Sequence, residues 1–149
     1  MIALSVSLDR AKPRSLIAAI AAKKDKTYIT ALIKMPADMD FFEAYGKIKE
    51  VFGRLSNMVK SRRVLIEEPA STAAAKIVGA LKIELKGTYI IEQIKTKDIL
   101  GHFGVSSISQ LARKFEKLKL YHTDYPEGVE IKQRDYSKLA KAIAMVEMK

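Results

Sequence analysis

The first 36 residues restrict the fold most, because they hold three apolar segments in a row separated only by short charged turns. In residues 2–8, IALSVSL, successive side chains of a strand face opposite ways. Ile2, Leu4, Val6 and Leu8 therefore share one face, and Ser5, Ser7 and Asp9 the other. A turn from Arg10 to Arg14 leads into SLIAAIAA, and KKDK leads into TYITALIKM. The pattern predicts three strands joined as an antiparallel meander.

Pro36 ends this unit, and Asp38 or Asp40 can cap a helix after it. Phe41, Tyr45, Ile48, Val51, Phe52, Leu55 and Val59 recur at helical spacing, so residues 38–60 read as one long amphipathic helix with a basic outer face. VLIEE reads as a short buried fourth strand stopped by Pro69. Ser71 caps an Ala-rich helix that ends at Gly87, and TYIIEQI is the fifth strand. Thr96 is positioned to cap the turn KDILGHF. Gly104 breaks that turn, and Ser106 or Ser107 starts a helix with Ile108, Leu111, Phe115 and Leu118 on its core stripe. HTDYPEGVEI reads as a loop, and a last helix runs from about Asp135 to the end. The expected architecture is α/β, a mixed five-stranded sheet in one domain, 1–149, with strands 4 and 5 parallel to strand 1 because each crossover carries a helix.

The formal charge is +10 at pH 7 and is spread evenly: 13 basic and 8 acidic residues in 1–75, 14 and 9 in 76–149. Such a field attracts polyanions, which makes a nucleic acid the expected partner. Cysteine is absent, so disulfide and thiolate chemistry are excluded, and His102 and His122 lack the spacing of zinc ligands. The apolar start is too short for a signal peptide and nothing approaches a membrane span, from which a cytoplasmic location is expected. Asn57 is the only asparagine amid abundant Lys and Glu, a bias that fits a thermophile. No P-loop, dinucleotide fingerprint or nucleophile elbow is present.

In mixed sheets of this kind, sites form beyond the carboxyl ends of the central strands. Asp9 closes the first strand there, and Glu67 or Glu68 the fourth. If these ends lie side by side, the acids converge. Clustered carboxylates can hold Mg2+ or Mn2+ for phosphodiester hydrolysis, with paired ions about 3.5–4 Å apart. Asp135 is the candidate third acid, its plainer reading being a helix cap. Arg10, Lys12 and Arg14 after Asp9, and Lys60, Arg62 and Arg63 before the fourth strand, are candidate backbone contacts, as are Lys95 and Lys97. Tyr121 and Tyr125 read as loop packing.

SVSLDR, VLIEEPASTAAAKIVGALK, IIEQIKTKDILGHFG and RDYSKLAKAIAMV together resemble, in order, segments of the ribonuclease H-like superfamily and within it the RuvC-type Holliday junction resolvases. The resemblance implies catalytic and metal-binding roles for Asp9, Glu67 and Asp135, and a Mg2+- or Mn2+-dependent endonuclease acting on branched DNA. Arg10 and Ala11 replace the family's glycine after the first acid, and Lys138 stands where the terminal D-x-x-D-A pattern has its second Asp. That removes one ligand, for which Glu68, Asp124 or Glu127 are the candidate substitutes, and puts Lys138 near the scissile phosphate. The small-residue loop is partly kept around Gly101 to Ser107. A resolvase role implies a two-fold homodimer, with helix 38–60 one candidate interface. The alternative is a ribonuclease H-like nucleic-acid-binding module that has lost catalysis.

Overall fold

The computed structural model describes residues 1–115, 120–126 and 132–148, and the side chains of 120–126 and 133 lie outside the description. Strands β1 (Ile2–Asp9), β2 (Ser15–Lys24) and β3 (Thr27–Pro36) form the expected meander, and β4 (Arg63–Glu67) and β5 (Ile90–Ile94) come after their helices. β1 pairs antiparallel with β2 and parallel with β4, and β5 is parallel to β4. The sheet order is β5-β4-β1-β2-β3-β6.

The sixth strand, β6 (Leu120–Pro126), corrects the reading of 122–131 as a loop: its first part pairs parallel with β3, while 127–131 lie outside the described residues. A polar sequence ending in Pro126 does not look like a strand. At a sheet edge only one side is hydrogen-bonded, however, and there a proline is tolerated.

Alternation along the strands divides the core in two. Ile2, Leu4, Val6, Val64 and Ile66 pack under α1 (Phe41–Val59) and α2 (Thr72–Leu85). Ala3, Ile17, Ala19, Ala21, Leu32 and Leu65 pack under α3 (Thr96–His102), α4 (Ile108–Lys114) and α5 (Ser137–Glu147). The small residues of β1 and β2 let α5 lie close to the sheet, and residues 139–146 are buried without interruption.

Asp40 caps α1, accepting from the backbone N–H of Phe42 and Glu43, and Ser71 caps α2 through Ala74. The α1 stripe packs on the sheet, so core packing accounts for it. Thr96 does not cap α3: it is that helix's first residue, and its hydroxyl is engaged elsewhere. Ser107 caps α4, and Leu118 lies outside the described residues. The last helix begins at Ser137, after a 3₁₀ turn at Gln133–Tyr136 that contains Asp135.

Phe52, 1% exposed on the inner face of α1, anchors one core layer. Phe52→Ala is expected to cost about 3–5 kcal/mol of unfolding free energy and Ser71→Ala about 1 kcal/mol. Urea denaturation measures both, and equal losses would contradict this account of the packing.

Candidate functional site

The pairing of β1 with β4 decides what stands beside Glu67. Ala3 lies opposite Leu65 and Leu4 opposite Ile66, so the next position on β1, Ser5, is the lateral neighbour of Glu67. Both side chains point to the α5 face, and Ser5 Oγ donates to Glu67 Oε1 at 2.7 Å. Asp9 lies four residues further along β1, about 13 Å of strand at roughly 3.3 Å per residue. Strands β1 and β4 are neighbours as expected, but β4 stops short of the end of β1, so Ser5 and not Asp9 holds the place lateral to Glu67.

Glu67 is 4% exposed and fully engaged. Thr96 Oγ1 donates to its Oε2 at 2.7 Å, and Lys141 Nζ, from α5, lies 3.0 Å from Oε1 and 2.9 Å from Oε2. Asp135, 2% exposed, has its own cation: Oδ2 accepts from Lys34 Nζ at 2.7 Å and from the Lys132 backbone N–H at 2.8 Å. Burial works against ionisation of Asp135. Its bonds to Lys34 and Lys132 and the charges of Lys34 and Arg134 outweigh that effect and hold it below the ordinary aspartate value. Asp9 accepts from the Ala11 backbone N–H at 3.0 Å through Oδ1 and pairs with Arg134 Nη2 at 3.1 Å through Oδ2.

Lys138 lies among these groups. Burial and the nearby charge of Lys141 lower its ammonium pKa, against the opposing pull of Glu67, Asp9 and Asp135. With Leu8, Asp9, Arg10, Arg134 and Asp135 it lines an open pocket of about 240 Å³.

A divalent ion does not fit this arrangement. Among the described residues no three acidic or imidazole side chains form a group able to hold a metal ion. Glu67 and Asp135 already hold ammonium groups, and unit charges about 4 Å apart at an effective dielectric of 20 interact by about 4 kcal/mol. Lys138 and Lys141 repel an added cation, while the acids that would attract it are already engaged by Lys34, Arg134 and Lys141.

The remaining predicted residues divide by strand direction. Arg10, Lys12 and Arg14, in the β1–β2 turn, lie at the site end of the sheet, and Arg10 lines the pocket. Lys95 and Lys97 come after the carboxyl end of β5 at the same end, exposed on either side of Thr96. Lys60, Arg62 and Arg63 do not flank the site. Because β4 runs parallel to β1, the residues before it lie at the opposite end, next to Ile2. Glu68 is exposed and does not join Glu67, the Asp124 side chain is outside the description, and Glu127 is outside the described residues. His102 packs edge-on against Phe103. The side chains of Tyr121, His122 and Tyr125 are not described, although all three belong to β6 rather than to a loop.

Lys34, Lys141, Ser5 and Thr96 are site residues that the sequence reading missed. A signal existed for both lysines: Lys34 interrupts the apolar run TYITALIKM, and Lys141 interrupts LAKAIAMV. A lysine on a buried stripe needs an acid, because an unpaired charge is not tolerated there.

No family model and no curated protein sequence matches the chain. Solved structures do match its fold, which is the ribonuclease H-like fold of RuvC. Thermus thermophilus RuvC superposes with a TM-score of 0.56 at 13% identity, covering 98% of this chain and 93% of that one. T. thermophilus RuvC in complex with Holliday junction substrate gives a TM-score of 0.55 at 14% identity, covering 97% and 89%.

Removing one partner of a buried pair strands the other, so Lys141→Met is expected to cost about 3–5 kcal/mol. The double variant Glu67→Gln/Lys141→Met should regain most of it, since Ser5 and Thr96 can still hydrogen-bond the amide; additive losses in a denaturation cycle would refute the coupling. A depressed native pKa at Asp135 contributes stability above the unfolded aspartate value of 3.8, lost as pH falls through the lower native value. Unfolding free energy measured from pH 6 down to pH 2 should therefore fall less steeply in Asp135→Asn than in wild type.

Proposed function

We propose that the chain is a single ribonuclease H-like domain that binds branched DNA through the carboxyl end of its sheet and does not cleave it by metal-assisted hydrolysis. One observation carries the reading. The residue beside Glu67 on β1 is Ser5 and not an acid, and Lys141 holds both oxygens of the glutamate. The likeness to a RuvC bound to a Holliday junction supports DNA as the partner. Arg10, Lys12, Arg14, Lys95, Lys97 and Lys138 are the contacts this reading assigns at that end, where cations position a phosphate backbone without reading bases. Lys60, Arg62 and Arg63 would contact DNA only through the opposite end. A homodimer would match the two-fold symmetry of a four-way junction.

The endonuclease reading rests on Asp9, Glu67 and Asp135 with Mg2+ or Mn2+. It has in its favour that all three acids act on Lys138 and so face one region.

A four-way junction and a linear duplex of equal length, each with and without Mg2+ or Mn2+, separate the readings. The binding module should shift the junction preferentially, in a manner that weakens steeply with salt, and leave every strand intact. Defined nicks that disappear in Glu67→Gln would establish the endonuclease instead.

A further inference from the structure

Three acids and four cations lie along the carboxyl side of β1 and β4 beneath the first turns of α5: Asp9, Glu67 and Asp135 with Lys34, Arg134, Lys138 and Lys141. Each acid has its own cation within hydrogen-bonding distance: Lys141 for Glu67, Lys34 for Asp135 and Arg134 for Asp9. Lys141 is 5% exposed and Lys34 2%, so neither reaches solvent or a DNA strand. Their charge acts inward only. Lys138 differs: it lines the pocket with Arg10 and makes no ion pair among the described residues. A phosphodiester entering this pocket would meet Lys138 and Arg10 in front of acids that are already neutralised.

We propose that fixed ammonium groups take over here the charge-neutralising part of divalent cations, Lys141 and Lys34 compensating Glu67 and Asp135 from inside while Lys138 and Arg10 receive a nucleic-acid phosphate without a metal ion. A cluster of buried carboxylates repels a phosphate unless cations intervene. In this chain the intervening cations are covalently part of α5 and β3, so they need neither loading nor a free ligand set. The proposal rests on the DNA-binding reading for its phosphate, but not for its metal independence.

Two measurements test it. Mn2+ titrated into the free wild-type protein and followed by electron paramagnetic resonance should show no protein-bound ion at the site. A stoichiometric bound ion that is lost in Glu67→Gln would overturn the proposal, whatever the protein does with DNA. Junction affinity should agree within about twofold between EDTA and Mg2+ at matched ionic strength, and Lys138→Gln should weaken it roughly tenfold in both, the order expected for one charge-assisted contact. Lys138 is not in a buried pair, so this variant should fold, which circular dichroism checks. Undiminished binding by Lys138→Gln, or binding that requires Mg2+, would overturn the phosphate assignment. If no junction binding occurs at all, the DNA reading fails and the phosphate assignment with it, while the resonance experiment still decides whether ammonium groups have displaced the metal.

Discussion

The bond between Lys141 and Glu67 ties together four elements. Glu67 closes β4, Lys141 comes from the middle of α5, Ser5 from β1 and Thr96 from the start of α3, and all meet at two carboxylate oxygens. A buried carboxylate is tolerable only when its charge is met and its lone pairs are filled. Both conditions hold here only while α5 stays docked over β1. The helix that closes the second core layer is therefore also the element that supplies the cation of Glu67.

Strand direction governs which charges share this environment. β1, β4 and β5 are parallel and run the same way, so the segments after β1 and β5, 10–14 and 95–97, lie toward one end of the sheet although β1 extends four residues beyond β4. The 3₁₀ turn at Gln133–Tyr136 brings Arg134 and Asp135 to the same end. The basic segment 60–63 precedes β4 and is carried to the other end. Basic stretches of the same composition thus have different neighbours because one lies after a parallel strand and the other before it.

Lysines alter what this end of the fold can do. In a site of free carboxylates the protein supplies negative charge and solution supplies the compensating metal. Here each of the three acids is already met by a cation of the chain itself.

Much of the architecture was legible in the amino-acid sequence. The alternation in IALSVSLD, the charged turn at 10–14, the caps Asp40 and Ser71, and the stripe from Phe41 to Val59 are local patterns, and each corresponds to the element found; of KKDK only Asp25 and Lys26 make the turn, Lys23 and Lys24 closing β2. β6 escaped because an edge strand needs no apolar alternation and tolerates Pro126. Asp9 and Glu67 were each correctly placed at strand ends, and the lysines at 34 and 141 stood visibly within apolar runs. Which acid faces which partner was not written locally. It depends on the register between β1 and β4, residues some 60 positions apart in the chain, and a shift of a few residues in that register exchanges Ser5 for Asp9 beside Glu67. Sequence periodicity determines the elements because it acts over a few residues. Only the packed sheet determines which charges meet, because that is settled by where the ends of separate strands stop.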